Sequence, residues 1–176
     1  MKEQKGLPPL LWGAAALVLL ADQVTKQLVR TSLVEGQSVS LSRWLAPVFS
    51  VTYVTNSGIA FGLFPNFGQF FIVVGLVVVA ALLWYSFQFA YDDWSVLLAL
   101  GLQLGGAVGN LLDRLLFDGV VVDFIDLSFW PLQRWPVFNL ADASIVVGVT
   151  LLVFLLLREE WREGSGSASM VTAQDE

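Results

Sequence analysis

Residues 69–89 read QFFIVVGLVVVAALLWYSFQF, and they lie inside a longer stretch, 44–91, that holds no Asp, Glu, Lys or Arg. Roughly 20 mostly apolar helical residues cross a hydrocarbon core of about 30 Å. The segment therefore reads as a membrane-spanning helix, and it guides the search for others. Residues 94–116 (WSVLLALGLQLGGAVGNLLDRLL), 8–29 (PPLLWGAAALVLLADQVTKQLV) and 140–157 (LADASIVVGVTLLVFLLL) follow the same pattern. Four spans are predicted.

Composition agrees. Of 176 residues, 56% are hydrophobic and only 14% charged, whereas soluble domains carry about 25% charged residues; the mean hydropathy is +0.72. Histidine and cysteine are both absent. That excludes a Ser-His-Asp triad, a Cys-His pair, a His-Glu zinc site and any disulfide. Chemistry would have to come from Asp, Glu, Lys, Ser, Thr, Tyr, Arg or a borrowed metal. A net charge of −6 gives no reason to expect a nucleic-acid partner.

The first span also has the form of a signal peptide, since Lys2 and Lys5 precede its apolar core. No convincing small-x-small cleavage site precedes Asp22 and the apolar spacing continues through Val29, so a retained helix is expected. Four spans put both termini on one side. Lys2, Lys5, Arg158 and Arg162 on that side balance Arg30, Arg43, Arg114 and Arg134 on the other. The close flanking by Lys2 and Lys5 tilts the reading toward cytoplasmic termini.

Tyr91-Asp92-Asp93 marks a tight turn between spans two and three. Residues 31–68 form an outer connection whose alternation over Phe49–Val54 predicts strand, with Asn56-Ser57-Gly58 as a turn. Its aromatics Trp44, Phe49, Tyr53, Phe61, Phe64 and Phe67 suit an interfacial layer. A second outer connection covers about 117–139. The compact domain is expected over 1–162, followed by a polar tail, 163–176, whose Gly164-Ser165-Gly166-Ser167 reads as a flexible end.

Charged groups at membrane depth are costly and thus candidates for function. Asp22 and Lys26 stand one helical turn apart and can form a self-neutralising pair. Asn110, Asp113 and Arg114 end the third span, after small residues Gly105, Gly106, Ala107 and Gly109 that permit close helix contact. They read either as a packing face capped by an interfacial ion pair or as ligand contacts. Asp142 follows Asn139 in a capping-box-like start to the fourth span, and Asp123 follows the apolar run Val120-Val121-Val122. Both aspartates belong to the same side of the membrane, and a folded-back connection would bring them together. Two carboxylates in a poorly hydrated site cannot both ionise easily, so one keeps a proton while the other acts as base. Such a pair can activate water against an amide and protonate the leaving nitrogen. The helix N-terminus beneath Asp142 makes it the expected base, with Asp123 holding the proton.

Five segments in this order resemble the bacterial prolipoprotein signal peptidases, or signal peptidase II: Asp22–Lys26, Asn56–Phe61, Gly105–Arg114, Val122–Ile125 and Phe138–Asp142. The resemblance implies a plasma (inner) membrane aspartic endopeptidase with an all-α core of four transmembrane helices and a small β-rich cradle from the first outer connection. A mobile segment would come from the second connection. It implies cytoplasmic termini and an active site near the outer leaflet. The implied substrates are lipoprotein precursors carrying a diacylglyceryl-modified cysteine, cleaved just before that cysteine. Asp123 and Asp142 match the catalytic pair. Asn56, Gly58, Asn110, Arg114 and Asn139 match positions that bind substrate or support the site, and Asp22 and Lys26 match a structural polar pair. No metal or cofactor is implied, and a monomer embedded in lipid is expected.

Two other readings use the same residues. Asp118-Gly119 with Asp123 and Asp126 is similar to the acidic cluster of metal-dependent phosphotransferases acting on lipid alcohols, although Asp123 and Asp126 stand three apart where that pattern has four. A non-catalytic transporter or assembly partner would use Asp22, Lys26, Asp113 and Arg114 as a polar pathway or helix glue.

Overall fold

A computed structural model describes residues 9–58, 67–89, 93–132 and 135–174. Lys2, Lys5, Ile59–Phe61, Phe64, Tyr91, Asp92 and Arg134 lie outside the described residues. Among the described residues there are four helices, α1 (Pro9–Ser32), α2 (Gly68–Phe89), α3 (Trp94–Leu116) and α4 (Leu140–Gln174), with strands β1 (Ser38–Val39), β2 (Phe49–Asn56) and β3 (Val121–Leu127). The helix starts fall close to the predicted ones because each apolar run begins at a turn or cap. Asp93 caps α3 by accepting from the Ser95 backbone N–H at 2.7 Å. The exception is the end of α4, whose backbone stays helical through the Gly164–Ser167 stretch to Gln174. Gly and Ser are weak helix formers, but no proline follows Pro136 to stop the helix.

Three of the helices, α2, α3 and α4, are long and apolar enough to cross a membrane. At 24 residues α1 has the length, but Asp22, Gln23, Thr25 and Lys26 dilute its apolar character. Asp22 and Lys26 point inward and are fully buried. The centre of the bundle is α3, which packs against all three other helices. Its glycines explain the close approach. A Cβ at Gly105 would stand 2.6 Å from the Ala15 carbonyl oxygen, and one at Gly109 would stand 2.7 Å from an Asp22 carboxylate oxygen. Such small-residue faces replace the hydrophobic drive that helices lack inside lipid. The sequence of contacts makes α1 and α3 parallel and α4 antiparallel to them. By contrast, α2 and α4 turn large apolar side chains such as Phe70, Val77, Val146 and Phe154 outward.

The three strands form one antiparallel sheet in the order β1-β2-β3. β3 comes from the connection between α3 and α4, so the sheet is built from both long connections rather than from the first alone. Between Val51 and Val54 the β2–β3 register shifts: Val51 faces Ile125 while Val54 faces Asp123, leaving two residues of β2 opposite Phe124. This bulge changes which face each later β2 side chain occupies. Without it, Asn56 would point away from Asp123. The opposite face of β3 is sealed by Val29 of α1, packed with Val122 and Phe124.

Candidate active site

Asp123 arrives on β3 and Asp142 on the first turn of α4. Both line a cavity of about 550 Å³ together with Asn56, Gly58, Asn110 and Arg114. That volume lies within the range of small-ligand sites. The rest of the wall is largely apolar, including Val121, Leu132, Val137, Phe138 and Ile145.

Asn139, fully buried, ties the two aspartates to one another. Its Nδ2 donates to Asp123 Oδ1 at 2.7 Å and also faces Asn110 Oδ1 at 3.1 Å and the Val122 carbonyl at 3.3 Å. Its Oδ1 accepts from the Asp142 backbone N–H at 2.9 Å, and Asp142 Oδ2 accepts from the Asn139 backbone N–H at 3.4 Å. The capping box read from the sequence is therefore present. It leaves Asp142 Oδ1 free of the cap, and that oxygen accepts from Asn110 Nδ2 at 2.7 Å. The capping role and the role in the cavity coexist in one carboxylate.

Asp123 Oδ2 accepts from Asn56 Nδ2 at 3.0 Å, a contact the β2 bulge makes available. Asn56 Oδ1 in turn accepts from the Gly58 backbone N–H at 3.0 Å. Burial first, and the neighbouring Asp142 charge second, push the Asp123 carboxyl up to about 7. The hydrogen bonds from Asn56 and Asn139 oppose this rise, as does the Lys26 charge. Asp123 therefore keeps its proton to a higher pH than an ordinary carboxyl group.

Beneath this pair lies a set of buried charges. Lys26 Nζ stands 2.8 Å from Asp22 Oδ2 and 3.2 Å from Asp113 Oδ2, and it donates to Asn110 Oδ1 at 2.9 Å. Because an ammonium only donates, it fixes the Asn110 amide with its Nδ2 toward Asp142. Asp113 also pairs with Arg30 at 3.0 Å and accepts from the Val122 backbone N–H at 3.1 Å. Asp22 Oδ1 accepts from the Ala141 backbone N–H at 3.0 Å, so a carboxylate of α1 satisfies an amide in the first turn of α4. Arg114 does not pair with Asp113. Its Nη2 donates to the Gly58 carbonyl at 3.3 Å, and its Nε is buried with no hydrogen-bond partner.

A sequence profile of the family described as Signal peptidase (SPase) II matches residues 14–158. The chain belongs to the signal peptidase II family. It is 42% identical over 154 residues to a lipoprotein signal peptidase of Desulfitobacterium hafniense (strain DSM 10664 / DCB-2), covering 88% of this chain and 97% of the relative. To the lipoprotein signal peptidase of Moorella thermoacetica it is 44% identical over 151 residues, covering 85% and 94%. The fold is similar to a bacterial membrane enzyme solved in meso at 2.3 Å resolution, with a TM-score of 0.81, 30% identity, and coverage of 91% and 94%. A second such structure, at 1.9 Å, gives a TM-score of 0.77 at 30% identity, covering 89% and 98%.

In this signal peptidase II family member every predicted site residue gathers at one end of the bundle. Asp123, Asp142, Asn56, Gly58, Asn110 and Arg114 share the cavity wall, Asn139 braces it, and Asp22 and Lys26 sit behind it. Two residues of the surrounding network were not predicted. Arg30 continues the one-turn spacing of Asp22 and Lys26, a signal present in the sequence. Gln23 donates to Asp22, Asp113 and the Gly109 carbonyl, and nothing in its local pattern announces that. The acidic cluster of the phosphotransferase reading does not assemble. Asp126, an odd number of residues from Asp123 on one strand, faces the other way and accepts from Thr52 at 2.7 Å.

Proposed function

We propose that this protein is an aspartic endopeptidase of the plasma (inner) membrane. It removes the signal peptide from diacylglyceryl-modified lipoprotein precursors by cutting just before the lipidated cysteine. The observation that carries the mechanism is the pair of carboxylates on one apolar-walled cavity, joined through Asn139. In the resting state Asp142 is the base and Asp123 the acid. Asp142 takes a proton from water as the water oxygen bonds to the scissile carbonyl carbon, while Asp123 gives its proton to the carbonyl oxygen. The C–N bond then breaks: the leaving nitrogen takes the proton held by Asp142, and the hydroxyl of the tetrahedral species returns one to Asp123. Arg114 and Asn110 are placed to hold a substrate carbonyl or headgroup.

The relatives, which are lipoprotein signal peptidases, support this substrate class, and the apolar wall of the cavity suits an apolar signal-peptide segment. Two acyl chains keep such a substrate in the bilayer beside the enzyme. Four spans, α1 among them, fit the exposed tryptophans. Trp12, Trp84, Trp94 and Trp161 lie toward one end of the bundle, and Trp44, Trp130 and Trp135 toward the other. From Leu140 to Trp161 a helix rises about 30 Å, one hydrocarbon thickness. On this reading the termini are cytoplasmic, the site lies at the outer leaflet, and the enzyme works as a monomer without metal. The test is to incubate the purified protein with an authentic diacylglyceryl-modified precursor. Release of a signal peptide ending just before the lipidated cysteine supports the reading, and an intact precursor rejects it.

A further inference from the structure

Counting charges around the site gives an unequal result. Asp22, Lys26 and Asp113 are fully buried and Arg30 is only 15% exposed, so the cluster behind the site holds two carboxylates and two cations. In front of it stand Asp123 and Asp142, which feel the charges of Lys26 and Arg114. No other charged side chain of the described residues faces this group. β2 and α2 carry none. Asp118 sits in the exposed turn after α3, and Asp126 points to Ser50 and Thr52. The site therefore holds four carboxylates against three cations.

We infer that the Asp22–Lys26–Asp113–Arg30 cluster, itself neutral, holds the proton count of the active site at one: while the cluster is balanced, Arg114 is the one uncompensated cation beside Asp123 and Asp142, and the buried charges balance when that pair shares one proton. This rests on the dyad reading above and extends it to residues that touch no substrate. The cost of burying an uncompensated charge supplies the drive. The coupling is short, because Lys26 Nζ donates to Asn110 Oδ1 and Asn110 Nδ2 donates to Asp142 Oδ1. The four are positioning residues, and their effect has a sign. Loss of a cation favours a second proton on the pair, whereas loss of a carboxylate favours none.

The experiment is a pH–activity profile of the purified full-length enzyme in lipid bicelles, with a diacylglyceryl-modified precursor as substrate. Lys26→Met moves both limbs of the profile to higher pH by about one unit, and Asp22→Asn moves both to lower pH by about as much. The double variant Lys26→Met/Asp22→Asn restores charge balance, and its profile returns to the wild-type position even though its rate stays low. A purely structural cluster would instead lower the rate with the limbs unmoved, and the double variant would be worse than either single one. Should Lys26→Met fail to fold, Arg30→Met removes the same charge from the cluster's periphery and shifts the profile in the same direction. Unmoved limbs, or shifts of the same sign for loss of a cation and loss of a carboxylate, overturn the inference. Failure of the dyad reading itself is seen separately, as wild-type inactivity or as cleavage that survives Asp123→Asn.

Discussion

Asn139→Ala removes four side-chain hydrogen bonds at once, and the two shortest have clear magnitudes. The cap on α4, Asn139 Oδ1 to the Asp142 N–H at 2.9 Å, is worth about 1 kcal/mol. The bond from Nδ2 to Asp123 at 2.7 Å is of the charged type, worth about 1.5–3 kcal/mol. The variant should therefore lose roughly 2.5–4 kcal/mol of stability. Its kcat/KM should fall about ten- to a hundredfold, the kinetic equivalent of the lost charged bond. That bond also holds Asp123 below the value burial alone would give, so the alkaline limb of the pH profile should move upward. Asn139→Ser separates the effects. A serine oxygen can cap α4 but is too short to reach Asp123 and Asn110, so the variant regains about 1 kcal/mol while its activity stays low. Thermal unfolding in detergent micelles and steady-state cleavage of a lipidated precursor report the two quantities. An Asn139→Ser enzyme with wild-type kcat/KM would refute the bridging role.

Asp123 also makes stability depend on pH. Its native value of about 7 lies above the ordinary carboxylate range, so its contribution is fully present below about pH 4 and is lost as pH rises through 7. Asp123→Asn should remove that slope and unfold at a higher temperature than wild type at pH 8, a difference that shrinks below pH 5. Gly105→Ala places a methyl against the Ala15 carbonyl at 2.6 Å and Val18 at 2.8 Å. It should cost about 1–3 kcal/mol, read as a lower melting temperature and less protein in the membrane. Deleting Tyr53 removes the bulge and turns Asn56 away from Asp123. Its activity should fall to that of Asn56→Ala, and a deletion variant with activity near wild type would contradict the register argument.

The helices were legible because lipid imposes a length and a composition on them. Ends agree where a cap or turn residue marks them, as at Asp93 and Asn139. The sheet was half legible. β2 alternates in the sequence, but β3 depends on a partner brought from another connection, and a bulge is invisible until the pairing is known. One of the two readings of the end of α3 made Asp113 and Arg114 an interfacial ion pair, yet neighbours on a helix point about 100° apart and do not face each other. Asp113 turns to α1 and Arg114 to the cavity. The buried charge cluster joins α1 to α3, so the sequence displayed its parts, Asp22 and Lys26 most clearly, without showing that they meet.

The central claim is that two aspartates on one cavity cut the bond before a lipidated cysteine. The direct measurement is mass spectrometry of a synthetic diacylglyceryl-modified precursor after incubation, in EDTA, with wild type, Asp123→Asn or Asp142→Asn. The account predicts full cleavage at that bond by the wild type and none by either variant. Cleavage that stops in EDTA, or that persists in either asparagine variant, would contradict it.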